Sequence, residues 1–117
     1  MKRVVLAILC SVFAATPVFA TGGMICRTAG TQPIEIALVI SHTALPSIVS
    51  ARLTEYGREI PVSVAQSWLE PKEVRLDLTD KQALRHEARL NVQANGRSYD
   101  GSLWRSGKRR WVRCREG

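Results

Sequence analysis

Apolar and polar side chains alternate along much of the chain with a period of two. Ile34, Ile36, Leu38 and Ile40 share one side, with Glu35 and Ser41 on the other. Val49, Ala51 and Leu53 alternate with Ser50, Arg52 and Thr54; Val74, Leu76 and Leu78 alternate with Glu73, Arg75 and Asp77. Ala88, Leu90, Val92 and Ala94 alternate with Glu87, Arg89, Asn91 and Gln93. Successive side chains of a strand point to opposite faces, so each run predicts a strand with one buried and one solvated face. Such strands belong to antiparallel sheets, where one face stays wet.

The residues between the runs agree. Asn95-Gly96 separates two of them and is a strong hairpin signal, because both residue types tolerate positive φ. Tyr56-Gly57-Arg58 and Arg105-Ser106-Gly107-Lys108 predict two further tight turns. Pro46, Pro61 and Pro71 cannot donate to a ladder and are expected at strand edges or in connections. A turn or two of helix is expected around Asp80 to Arg85, with Thr79 or Asp80 as N-cap. The pattern predicts an all-β domain of about seven antiparallel strands in one meander, closed as a sandwich or small barrel.

Residues 1–20 follow another rule. Lys2 and Arg3 precede an apolar run from Val4 to Ala15, Pro17 breaks it, and Val18-Phe19-Ala20 ends on small side chains. This predicts a secretory signal peptide cleaved after Ala20, leaving one β domain at 21–117. The run is also shorter than the ~20 apolar residues of a spanning helix, so no transmembrane segment is expected after cleavage. Bulky Leu9 occupies the place a lipoprotein signal gives to a small residue, so Cys10 is expected to leave with the signal. Cys26 and Cys114 remain, and in an oxidising compartment the pair predicts a disulfide. Their spacing does not match a metal site with His42 or His86, and no metal is expected.

Charge changes the picture further. The formal net charge is +7, and loss of Lys2 and Arg3 brings it to +7 − 2 = +5. From Thr21 to Gly96 basic and acidic residues cancel, so the whole excess lies in the last hairpin. With Ser106-Gly107 as a two-residue loop, Arg105 pairs with Lys108, Leu103 with Arg110, Gly101 with Val112 and Tyr99 with Cys114. One face then carries Tyr99, Gly101, Leu103, Val112 and Cys114 and is expected to be the core face. Arg110 falls there too, near the tip, from where it can snorkel outward. The opposite face carries Asp100, Ser102, Trp104, Arg109, Trp111, Arg113 and Arg115, with the two indoles as diagonal neighbours. Arginine and tryptophan dominate binding hot spots, and guanidinium groups beside aromatic rings suit anionic and ring-bearing ligands.

No enzymatic constellation accompanies this face. His42 and His86 sit in ordinary loop or strand-edge contexts, and no nucleophile elbow, phosphate loop or dinucleotide fingerprint occurs. No enzymatic activity and no cofactor are expected.

Ala94-Asn95-Gly96-Arg97-Ser98-Tyr99, followed by Leu103-Trp104 and Gly107-Lys108, resembles the end of the periplasmic C-type lysozyme inhibitor family. That family is a small β-barrel with a disulfide near its ends, and the resemblance implies an inhibitory loop formed by Asn95, Gly96, Tyr99 and Lys108. Asn95 stands where the family has serine, and its Lys-Gly order is reversed here. Lysozymes are themselves basic, and a +5 hairpin meets them with like charge. The first expectation is therefore a periplasmic or secreted binding protein for an anionic envelope component or an acidic protein. Lipid head groups and anionic glycans are included, nucleic acid is disfavoured by export, and lysozyme inhibition stands as the alternative.

Overall fold

Period-two burial resolves into strands almost wherever the alternation is unbroken. The computed structural model of the chain describes residues 21–41 and 45–117; the expected signal segment and His42 lie outside them. The strands are β1 (Thr21–Thr28), β2 (Ile34–Ser41), β3 (Ser47–Glu55), β4 (Arg58–Ile60), β5 (Ser63–Leu69), β6 (Glu73–Thr79), β7 (His86–Asn95), β8 (Ser98–Arg105) and β9 (Lys108–Glu116). All pair antiparallel, in the order β4-β3-β2-β1-β9-β8-β7-β6-β5.

Neighbours in the sheet are thus neighbours in sequence, except that β1 lies against β9. The two outermost strands, β4 and β5, are separated in sequence only by Pro61 and Val62. A two-residue link between opposite edges forces the sheet to curl until the edges approach, and β3 comes close to β5 across the seam. The result is a half-barrel made from one sheet, which excludes the two-sheet sandwich.

Among the described residues nine strands replace the expected seven. β4 has three residues, too few to display a period. In β5 the register shifts between Val64 and Gln66, leaving Ala65 as an extra residue that breaks the alternation. A bulge of this kind moves every later side chain to the other face. The same physics corrects β3. Ile40 pairs with Ile48 while Val39 pairs with Ser50, so Val49 is the bulged residue. It is exposed, and Ile48 takes its expected place in the core.

The concave face holds Met24, Cys26, Ile34, Ile36, Leu38, Leu53, Val74, Leu76, Leu78, Leu90, Val92, Leu103, Val112 and Cys114, all buried. Ala94, expected among them, lies beyond the core near the strand end and is exposed. Cys26 and Cys114 are direct cross-strand partners and form the disulfide. Their Cα atoms are 3.9 Å apart, closer than the usual range of roughly 4.4–6.8 Å, because the bridge joins residues directly opposite in adjacent strands.

The β8–β9 turn has the expected register, with positive φ at Ser106 (53°) and Gly107 (76°), as a type I′ hairpin requires. Tyr56-Gly57 repeats that geometry between β3 and β4. The β7–β8 loop differs from expectation by one residue. Asn95 pairs with Ser98, so the loop is Gly96-Arg97, and only Gly96 adopts positive φ. No helix forms at Asp80–Arg85. Asp80 Oδ1 accepts hydrogen bonds from the backbone N–H of Leu84 (2.7 Å) and Arg85 (3.0 Å), closing a loop. Ala83 at φ 60° takes the chain out of helical geometry. These bonds to Asp80, led by the one from Arg85, hold its carboxyl below the ordinary carboxylate range.

An ion-pair cluster closes one end of the half-barrel. Glu87 has no partner in β6, since Leu78 pairs with Ala88 and Thr79 with His86. It meets Arg105, which also reaches Glu55 on β3 at 2.9 Å, while Nη1 lies 2.6 Å from Glu87. All three side chains are mostly buried. Arg105 is therefore a cross-link between walls of the half-barrel, and it contributes nothing to a free basic surface.

The candidate binding face

Strand register decides which side chains meet on the convex face. Across the sheet, Trp68, Arg75, Asn91, Ser102 and Trp111 are successive cross-strand partners, from β5 to β9. The adjacent row runs Gln66, Asp77, Arg89, Trp104 and Arg109. Parity places all of these opposite the core.

The tryptophans and arginines expected on this face are all there. Trp104 is 44% exposed and Trp111 52% exposed, on the face shared with Arg109, Arg113 and Arg115. The Arg109 guanidinium lies 5.8 Å from the Trp104 ring centre, and that of Arg113 5.1 Å from Trp111. Such contacts supply roughly 0.5–1 kcal/mol each at exposed sites. They leave about half of each indole open.

The cations are not equivalent. Arg113 donates from Nε to Asp100 Oδ1 at 2.7 Å, and Asn95 Nδ2 donates to Asp100 Oδ2 at 2.7 Å. The Arg113 bond, then the Asn95 bond, hold the Asp100 carboxyl below its ordinary range, and the same carboxylate raises Arg113. Arg113 is thus already neutralised by a neighbour. Arg109 and Arg115 have no ion-pair partner among the described residues. Arg110 lies on the concave side as its register requires, half-buried, with its Nε enclosed and without a hydrogen-bond acceptor.

Sequence reasoning missed Trp68. It is 50% exposed, with Arg75 5.3 Å over its ring, and repeats the Arg-on-Trp arrangement at the far edge of the face. Between it and the hairpin lies an open groove of about 720 Å³, lined by Gln66, Trp68, Arg75, Asp77, Arg89 and Asn91. A second groove, of about 350 Å³, lies on the β1 side of Trp111, beside Arg27 and Arg115. The signal that could have found Trp68 is its spacing from Val74 and Arg75 across a short turn, but the β5 bulge hid its face.

The four residues of the alternative inhibitory loop are not brought together. Asn95 and Gly96 are at one end of β8, and Lys108 is at the other, opposite Arg105. Seven strand positions separate them, about 23 Å. The Tyr99 hydroxyl donates to the Pro71 carbonyl at 3.0 Å, tying the ring to the β5–β6 connection. His86 Nδ1 lies 3.0 Å from Asp77 Oδ1, at the rim of the first groove. Comparison with known proteins gives no match: no protein family, curated protein or solved structure is found to be similar to this chain.

Proposed function

We propose that this chain is an exported, non-enzymatic binding protein that holds an anionic partner, an envelope component or an acidic protein, on the convex face of β8 and β9. One observation carries the reading: two half-exposed indoles share a face with arginines, two of which have no ion-pair partner among the described residues. Tryptophans recruited only for packing bury their rings, whereas Trp104 and Trp111 remain open beside unpaired positive charge. The disulfide Cys26–Cys114 fits an oxidising compartment, which supports export.

The test uses three probes, polyglutamate, phosphatidylglycerol vesicles and an acidic oligosaccharide, at low and at physiological salt. At least one should bind, and its affinity should fall steeply as salt rises, since exposed pairs are screened over about 8–10 Å. Arg109→Ala with Arg115→Ala should flatten that dependence. Trp104→Ala with Trp111→Ala should lower affinity at every salt concentration, because stacking and burial are little screened. Equal binding by wild type and the tryptophan double variant, or no binding of any probe at low salt, would end the proposal.

A further inference from the structure

The register row from Trp68 to Trp111 extends the face well beyond the hairpin. Four strand intervals separate the two tryptophans, about 19 Å along the sheet. Between them stand Arg75 and the short polar side chains of Asn91 and Ser102; the groove forms the Trp68 half of a trough, as far as Asn91, and the row leads on through Ser102 to the second indole. We infer that this trough binds an acidic oligosaccharide laid across the strands, with its sugar rings on the indoles and its acidic groups toward Arg89. The inference rests on the binding role proposed above and names the ligand class.

The trough's chemistry separates a sugar from other anions. Its lining offers donors and acceptors together: amides at Gln66 and Asn91, a carboxylate at Asp77, guanidinium groups at Arg75 and Arg89. Sugar hydroxyls both donate and accept, so this mixture can satisfy them. A polyphosphate offers only acceptors and is repelled by Asp77. A lipid surface would need exposed apolar side chains here, whereas apart from the indoles the apolar residues at the groove, Leu76 and Leu90, are buried. Sugar rings present axial C–H groups that lie flat on an indole, burying apolar surface without desolvating the hydroxyls around the rim.

Charge complementarity gives the acidic character. Arg75 is partnered by Glu73 at 3.4 Å, and Asp77 faces His86, but Arg89 has no carboxylate partner among the described residues. It stands between Asp77 on β6 and Trp104 on β8, in the row beside the trough. It is the cation an acidic sugar would meet on entering between the indoles.

The experiment measures affinity of the disulfide-bonded protein for an oligogalacturonate and a sulfated glycan fragment, which differ in the source of their charge. A neutral gluco-oligosaccharide of equal length, anionic vesicles and single-stranded DNA are the comparisons. At least one acidic oligosaccharide should bind more tightly than the neutral one. Trp68→Ala should weaken that binding about tenfold or more, as loss of a hot-spot aromatic contact does, while Trp68→Phe retains most of it. Arg89→Ala should bring the acidic and neutral affinities together. Thermal unfolding of each variant establishes that it is folded; Trp68 is an exposed edge residue, so its replacement should leave the midpoint nearly unchanged.

If Trp68→Ala binds like wild type while Trp104→Ala with Trp111→Ala loses binding, the site is confined to the hairpin: this inference fails and the earlier reading stands. If no acidic oligosaccharide binds, or vesicles or DNA bind more tightly and depend on Trp68, the ligand class is wrong. If none of the tryptophan variants changes the binding of any probe, both proposals fall together.

Discussion

Replacing Gly101 with alanine should be among the most damaging small changes in this molecule. Gly101 lies in the middle of β8, opposite Val92 on one side and Val112 on the other. A Cβ built there overlaps the Asn91 carbonyl oxygen outright and comes within 2.8 Å of Val92 Cα. Both obstacles are backbone, so no rotamer change can relieve them; β7 and β8 must separate. Inserting one methylene into a packed core costs about 1–3 kcal/mol when side chains can adjust. With only backbone to move, at least the upper end applies, about 3 kcal/mol or more. For a sheet spanning Thr21–Glu116, about 100 residues in size, each 1 kcal/mol lowers Tm by roughly 4–8 °C. The loss should therefore be about 12 °C or more.

Two other glycines provide the scale. An added Cβ at Gly107 meets nothing within 4 Å, but φ is +76°, and such left-handed geometry costs an L-residue about 1–2 kcal/mol. At Gly23 the Cβ would lie 3.2 Å from the Leu38 carbonyl oxygen, a contact a small shift removes. Urea and thermal unfolding of the three alanine variants should rank Gly101→Ala as the most destabilised, then Gly107→Ala, then Gly23→Ala. A Gly101→Ala protein as stable as Gly107→Ala would refute the close approach of β7 and β8. Because Asn91 lies on the floor of the trough, the same variant should also weaken ligand binding.

Three further outcomes are expected. Glu87 is held below its ordinary range mainly by its hydrogen bond from Arg85 and then by that from Arg105; a depressed folded-state value means its stabilisation is present above about pH 4.5 and is lost as pH falls below it. Glu87→Gln should flatten the acid limb of the stability–pH curve, and Arg105→Ala, which strands the mostly buried Glu55 and leaves Glu87 with Arg85 alone, should cost about 3 kcal/mol at neutral pH by urea unfolding. Replacing both Cys26 and Cys114 by alanine opens an 88-residue separation and should cost about 4–5 kcal/mol on the chain-entropy estimate; a loss under about 1 kcal/mol would contradict it. The protein at molar excess should leave C-type lysozyme turnover unchanged, because like charges meet and Lys108 lies far from Asn95; stoichiometric inhibition abolished by Tyr99→Ala would overturn that expectation.

How much of this was legible in the sequence depended on whether the period of two survived. The β8–β9 register could be written residue by residue, since Ser106-Gly107 sets the loop and every later pair follows. That register alone puts Trp104 and Trp111 on the convex face. It does not reach Trp68, because the extra residue at Ala65 shifts the phase of β5 before the tryptophan. The equivalent slip in β3 turns Val49 outward, against the alternation. The loop at Asp80 looked helical because the same side-chain acceptor caps helices and closes turns, and local sequence does not distinguish them. The bridge from Arg105 to Glu55 is invisible in the sequence, since its partner is 50 residues away.

The pairing of β1 with β9 also governs the order in which the molecule can be assembled. Every other neighbour in the sheet is joined by a short connection and can zip up locally as the chain is made. β1 alone must wait for the last strand, with its Cys26 thiol unpaired and one backbone edge open. A chain interrupted before Lys108 would expose the edges of both β1 and β8, a ready template for intermolecular pairing. It would also lack Cys114, so the native cross-link could not form on it. The disulfide closes only on a chain that has delivered β9, and its presence marks a sheet whose first and ninth strands have met.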